Sequence, residues 1–142
     1  MSTPSIQPGR DPAVQYLLRL GDFCLIHAQR LGEWCGHAPI LEEDIALTNH
    51  ALDLLGQARA LLAHAGRLEG QGFDEDQLAY LRDERDFLNV TLAELPNALV
   101  AGARADFALT VLRNFLLSAW MLGLWRALEA SSDAELAAIA AK

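Results

Sequence analysis

The side chains best suited to hold a metal or move a proton are the four histidines, His27, His37, His50 and His64. Helical bundles that bind two iron or manganese ions take a Glu from each of two helices and a Glu-x-x-His from each of the other two. Three residues before these histidines stand Cys24, Trp34, Leu47 and Leu61, so that motif is absent. The nearest substitute is His50-Ala-Leu-Asp53, followed by Gln57. This is the reversed order, and it puts two ligands on one helix face. An isolated His/Asp pair seldom suffices for a metal, so a polar patch that hydrogen-bonds within a bundle is the favoured reading. Glu33 is either a lone carboxylate ligand or the ion-pair partner of an arginine, and the second is favoured because buried carboxylates are usually paired.

Nucleophilic chemistry has little support. Cys24 and His27 are one helical turn apart but lack a third group to orient the base, so a packed thiol is the expectation. Cys35 and His37, two residues apart, point away from each other on a helix. The clustered glycines Gly66, Gly70 and Gly72 match no phosphate-binding loop. Arg82-Asp-Glu-Arg-Asp86 reads as a solvated face whose two arginines could instead hold an anionic group of a ligand.

These residues need long helices to position them. The chain has 142 residues, 52% hydrophobic and 21% charged, with a net charge of −8. That size suits one domain, and the acidic balance argues against general binding of nucleic acid. Residues 1–10 are polar, contain Pro4 and Pro8, and read as a disordered tail rather than a signal peptide. The remaining residues, 11–142, are expected to form a partial helical bundle. Asp11-Pro12 opens the first helix, which runs to about Trp34. Its Asp22, Gln29 and Glu33 form a thin polar stripe. Glu42, Glu43 and Asp44 open a second helix that is expected to stop at Gly66. One or two short helices follow between Phe73 and Ala93, and Pro96-Asn97 breaks the pattern. A third long helix, residues 104–129, is apolar nearly all round and must be covered by its own domain or by a partner. Ser132-Asp-Ala-Glu135 fits a capping box that starts a fourth helix, truncated at Lys142. The longest uncharged apolar run there, residues 114–125, has 12 residues, against about 20 for a membrane span. Cys24 and Cys35 are too far apart on one helix to bridge and are expected as free buried thiols of a cytoplasmic protein. The fold class is all-α: an antiparallel bundle with a groove where its fourth helix should lie, to be filled by a partner, a second copy or further sequence.

Four segments carry a likeness to a known family. Arg30-Leu-Gly-Glu-Trp-Cys-Gly-His-Ala-Pro39, Leu52-Asp-Leu-Leu-Gly-Gln-Ala-Arg59, Arg82-Asp-Glu-Arg-Asp-Phe87 and Ala137-Ala-Ile-Ala-Ala-Lys142 resemble the C subunit of the bacterial phenylacetyl-CoA epoxygenases. The resemblance runs from about Val14 to the end and covers the first part of that family's length. It implies a ferritin-like fold. It also implies a non-catalytic structural subunit that scaffolds a catalytic A subunit, which carries the di-iron site and epoxidises the ring of phenylacetyl-CoA in phenylacetate catabolism. No cofactor is then expected in this chain. Where the active relative has Glu-x-x-His, this chain has Asp53-Leu-Leu-Gly56, and Gly56 cannot ligate a metal. Ser118 stands where relatives often have Asp, and extra residues, about 98–104, precede the third helix.

The resemblance and the two arginines together suggest that Arg82, Arg85, Asp86, Phe87, Leu88 and Asn89 touch the CoA end of the substrate at the boundary with the A subunit. Phe115, Trp120 and Trp125 are the candidate subunit-interface residues. Two rival functions remain open. One is an enzyme with a degenerate metal site on Glu33, His50 and Asp53; the other is a helical module that associates with itself.

Overall fold

The computed structural model describes residues 5–98 and 103–142. The expected tail residues 1–4, and residues 99–102 of the extra stretch before the third helix, lie outside the described residues. Six α-helices and one 3-10 turn form the described residues, which contain no strand. Helix α1, Pro12–Gly32, starts where Asp11 Oδ1 accepts the amides of Ala13 at 2.8 Å and Val14 at 3.3 Å. Helix α2, Leu41–Glu69, has Glu42, Glu43 and Asp44 in its first turn, against the positive end of its dipole.

Helix α2 runs past Gly66, the expected stop, and ends at Gly70, whose φ of 78° is the left-handed cap conformation. Gly66 has a different task. A Cβ there would strike the carbonyl oxygen of Phe73, so the missing side chain lets the next segment fold back onto α2. Helix α3, Glu75–Tyr80, is closed by a capping box. Gln77 N donates to Asp74 Oδ1 at 2.7 Å and Asp74 N donates to Gln77 Oε1 at 3.0 Å. The 3-10 turn Glu84–Asp86 and helix α4, Thr91–Glu94, follow.

Helix α5, Phe107–Leu128, begins at Asp106, which accepts from Leu109 N. Helix α6, Ala134–Ala140, is capped by Asp133, which accepts from the amides of Glu135 and Leu136. The sequence pointed to Ser132 as this cap. Asp133 takes the role, and Glu135 instead pairs with side chains of α2.

Three pairings set the topology. Gly21 of α1 meets Leu62 of α2, and Cys24 meets Gln57, so α1 and α2 are antiparallel. Trp34 meets Thr110 of α5, His27 meets Asn114, and Phe23 meets Trp120, so α1 and α5 are antiparallel as well. Helices α2 and α5 therefore run in the same direction, joined by one long crossover, residues 70–106. That single crossover is the connectivity of ferritin-like bundles. The core lies between α1 and α2 around Leu17, Phe23, Leu31, Leu61 and Leu62, and Leu117 and Met121 close it from α5.

Two further expectations are corrected, on residues 5–10 and on Cys35. Residues 5–10 are held against the bundle: Ile6 N donates to Leu81 O, Gly9 N to Glu69 Oε1, and Gln15 Nε2 to Gly9 O. Cys24 is buried, but Cys35 lies past the end of α1 and is exposed. By length and composition α5 would suffice to cross a membrane, with a mean hydropathy of 1.5. The uncharged run of 12 residues hid this because Arg113 interrupts it. In the fold Arg113 is 2% exposed and bound to the end of the crossover, donating to Leu95 O at 2.5 Å, Pro96 O at 3.3 Å and Asn97 Oδ1.

Two glycines of α2 should respond in opposite ways to the same substitution. Gly66→Ala forces backbone apart and should cost about 1–3 kcal/mol. Gly56→Ala meets nothing within 4 Å and should gain about 0.5–1 kcal/mol of helix propensity. Urea denaturation followed by circular dichroism measures both.

Candidate functional site

The segment from Arg82 to Asn89 does not form one open binding face. Arg82 is 7% exposed and its guanidinium points inward to Asp22 of α1. One terminal nitrogen lies 3.0 Å from Asp22 Oδ2 and the other bonds Oδ1, a bidentate pair. Arg82 Nε donates to Leu78 O at 2.5 Å, and the Phe87 ring lies 4.2 Å below the guanidinium carbon. Leu88 N also donates to Asp22 Oδ2, at 3.0 Å. The expectation that Arg82 holds a ligand's anionic group is corrected by this geometry, since its donors are spent inside the protein. Arg85 stays exposed on the 3-10 turn, while Asp86, Phe87, Leu88 and Asn89 are half-buried. Asp86 accepts a bond from Gln7 Nε2.

A second candidate is the cleft of about 240 Å³ between α2 and α5. His50, Asp53 and Gln57 face Asn114 and Ser118 across it, and Met121 and Trp125 form the apolar wall. Asn114 connects two histidines: its Oδ1 lies 3.0 Å from His27 Nε2 and its Nδ2 lies 3.2 Å from His50 Nδ1. An amide Nδ2 only donates, so His50 Nδ1 accepts and the His50 proton sits on Nε2. His27 is 1% exposed, and its pKa is lowered, chiefly because burial disfavours the charged ring. A neutral His27 then donates from Nε2 to the Asn114 oxygen. Cys24 is pushed up to about 12 by burial, which makes it a packed thiol.

Glu33 belongs to another cluster. Arg30 reaches it at 2.5 Å and Asn97 Nδ2 donates to it at 2.7 Å, so it is the ion-pair partner the sequence favoured. The structure thus separates Glu33 from His50 and Asp53. Among the described residues no three His, Cys, Asp or Glu side chains converge on one point. Cys35 and His37 meet only through a backbone carbonyl, at 2.9 Å from His37 Nδ1.

The pattern of residue types missed Asn97, which reads only as a breaker. Asn97 is 3% exposed and also donates to Arg30 O at 2.8 Å, while its Oδ1 accepts from Arg113 and Thr110. One amide therefore ties α1, α5 and the crossover together. Its only sequence signal was a polar residue after a proline.

The third candidate is the outer face of α5. Phe115 is 68% exposed, and Trp120 is 47% exposed although its ring meets Phe23 edge-on at 5.4 Å. Trp125 is half-buried against the core. Val111, Leu112, Leu116 and Leu122 continue the exposed surface. No Asp or Glu occurs in α5 and its Arg113 is buried, so this face is apolar from Val111 to Leu122, and the exposed Arg126 lies beyond it in the last turn.

Likeness to known proteins extends over nearly the whole chain. The family described as phenylacetic acid catabolic protein matches residues 2–142. The chain is similar to the C subunit of the 1,2-phenylacetyl-CoA epoxidase of Escherichia coli (strain K12), 54% identical over 127 residues. That match covers 89% of this chain and 48% of the relative, so the chain spans about half the relative's length.

Two measurements probe these clusters. Arg82→Met leaves Asp22 buried without a counter-charge and should cost about 3–5 kcal/mol in urea denaturation, most of it recovered in Asp22→Leu/Arg82→Met. For His27 the unfolded chain takes up a proton near pH ~6.5 while the folded ring resists it, so its contribution is present above that pH and lost as pH falls. His27→Gln keeps a donor for Asn114 and should flatten the acid limb of a stability–pH curve.

Proposed function

The chain belongs to the phenylacetic acid catabolic protein family, and from that premise we propose a non-catalytic structural role in a multicomponent oxygenase. In this reading it scaffolds a di-iron A subunit that epoxidises the ring of phenylacetyl-CoA in aerobic phenylacetate catabolism, in the cytoplasm. The name of its relative supports the pathway. The outer face of α5 carries the structural part of the reading. Neighbouring exposed apolar side chains on one helix face support an interaction site, and Phe115 and Trp120 are the kind of large anchor that dominates protein interfaces.

The donor set does not fit a di-iron centre in this chain. Gly56 offers no ligand, Glu33 is bound to Arg30 and Asn97, and the His50 Nδ1 lone pair is taken by Asn114. The iron belongs, in this proposal, to the partner. In this proposal the exposed Arg85 meets the CoA end of the substrate, the half-buried Asp86, Phe87, Leu88 and Asn89 offer only their open edges to it, and Arg82 braces the segment from behind.

Co-expression with the A subunit tests the role. A complex should co-purify, and Phe115→Asp, which alters only an exposed position, should weaken it about 10–100-fold. A complex indifferent to Phe115→Asp, or a tight homo-oligomer that ignores the A subunit in sedimentation, contradicts the reading. Stoichiometric iron in the isolated chain, lost in His50→Ala, would favour the degenerate metal enzyme.

A further inference from the structure

Helix α2 has a neighbour on three sides. Its Ala58 and Leu62 lie against Gly21 of α1. Its His50, Asp53 and Gln57 line the cleft shared with α5. Its Gly56 and Ala60 lie across a groove from Ala138 and Ile139 of α6. The fourth side carries Leu41, Ile45, Thr48, Leu52, Leu55 and Arg59, at alternating steps of four and three residues. The large apolar side chains among them are 42–72% exposed. A helix that packs only inward puts polar residues on its outer side. An apolar stripe with a mean step of about 3.5 residues is instead the seam by which one helix packs lengthwise on another.

The stripe matches itself when reversed. With a second copy laid antiparallel across it, and a twofold axis at its midpoint, Ile45 faces Leu55 of the other copy, Thr48 faces Leu52, and Leu41 faces the stem of Arg59. The charges select the same direction. Glu42, Glu43 and Asp44 occupy the first turn of α2. Arg59, at the far end of the stripe, has a side chain 78% exposed, with its Nε on Glu75 Oε1 at 2.9 Å. A parallel pairing would set acids against acids. The antiparallel one brings the Arg59 fork to Glu42 of the other copy and opposes the two helix dipoles. A second copy thus supplies both halves of every pair from one surface.

We propose that the fourth side of α2 is a self-association surface, on which two copies of this chain pair antiparallel through Leu41, Ile45, Leu52 and Leu55. Thr48 of each copy flanks the axis, where its small side chain leaves room for Leu52 of the other. The closed twofold uses both stripes completely, so pairing stops at the dimer. Helix α5 bounds α2 on another side, so the docking role proposed for Phe115 stands or falls separately.

Sedimentation of the whole chain over a concentration series reads the pairing. A reversible monomer–dimer equilibrium is expected. Leu52→Glu places like charges beside the axis at an exposed position, and should weaken the dimer about 10–100-fold with unchanged helical circular dichroism. Glu42→Arg or Arg59→Glu alone should weaken it about 2–10-fold, and Glu42→Arg/Arg59→Glu should restore it. Phe115→Asp should leave the dimer intact. A chain that stays monomeric at every concentration, a dimer that ignores Leu52→Glu, or a charge exchange without rescue overturns the proposal. So does an A subunit that displaces the second copy and is itself blocked by Leu52→Glu.

Discussion

The pair between Asp22 and Arg82 is the constraint around which the crossover is arranged. Both side chains are essentially without solvent contact, at 0% and 1%. Neither charge tolerates that position alone, because a buried ion without its partner costs several kcal/mol. Arg82 must therefore arrive beside α1, and it brings the chain with it. Leu78 O, Asp86 O and Leu88 N are all bonded within this cluster, so the short α3 and the 3-10 turn are fixed by a group 60 residues away. Gly66 makes room for the same segment from the other side. With the crossover pinned at its start by Asp22 and at its end by Asn97 and Arg113, α5 can only run parallel to α2.

That placement gives α5 two unlike faces. Thr110, Arg113, Leu117 and Met121 turn inward, and Phe115 and Trp120 stay largely exposed. A helix apolar all round cannot be satisfied by one neighbouring pair of helices. The surface left over is the physical basis of the docking role proposed above, and the same helix supplies Asn114, which joins one ring nitrogen of His27 to one of His50.

Local features were legible in the sequence where a short polar side chain meets a free amide nearby. Asp11 before Pro12 begins α1 as its type and position predict. The three acids at the start of α2 and the break at Pro96 were legible for other local reasons, the helix dipole and the missing proline N–H. The misread ends share one cause. Gly66 and Ser132 both fit a local rule, yet Gly66 is needed for the approach of Phe73, and Asp133 displaces Ser132 because it also meets His64. Likewise Asp22 sat in a polar stripe with Gln29 and Glu33 and was indistinguishable from them, although burial sets it apart.

By itself the sequence determined the helical class, the positions of α1, α2 and α5 to within a few residues, the family, and the absence of Glu-x-x-His, since each depends on residue type and spacing along one segment. Only the tertiary structure decided that Arg82 is an internal strut, that Glu33 lies apart from His50, that Asn97 is a hub, and that Phe115 remains exposed. Those outcomes depend on which distant groups come together. A side chain's chemistry is visible in its own letter, whereas its partner is set by the path of the chain between them.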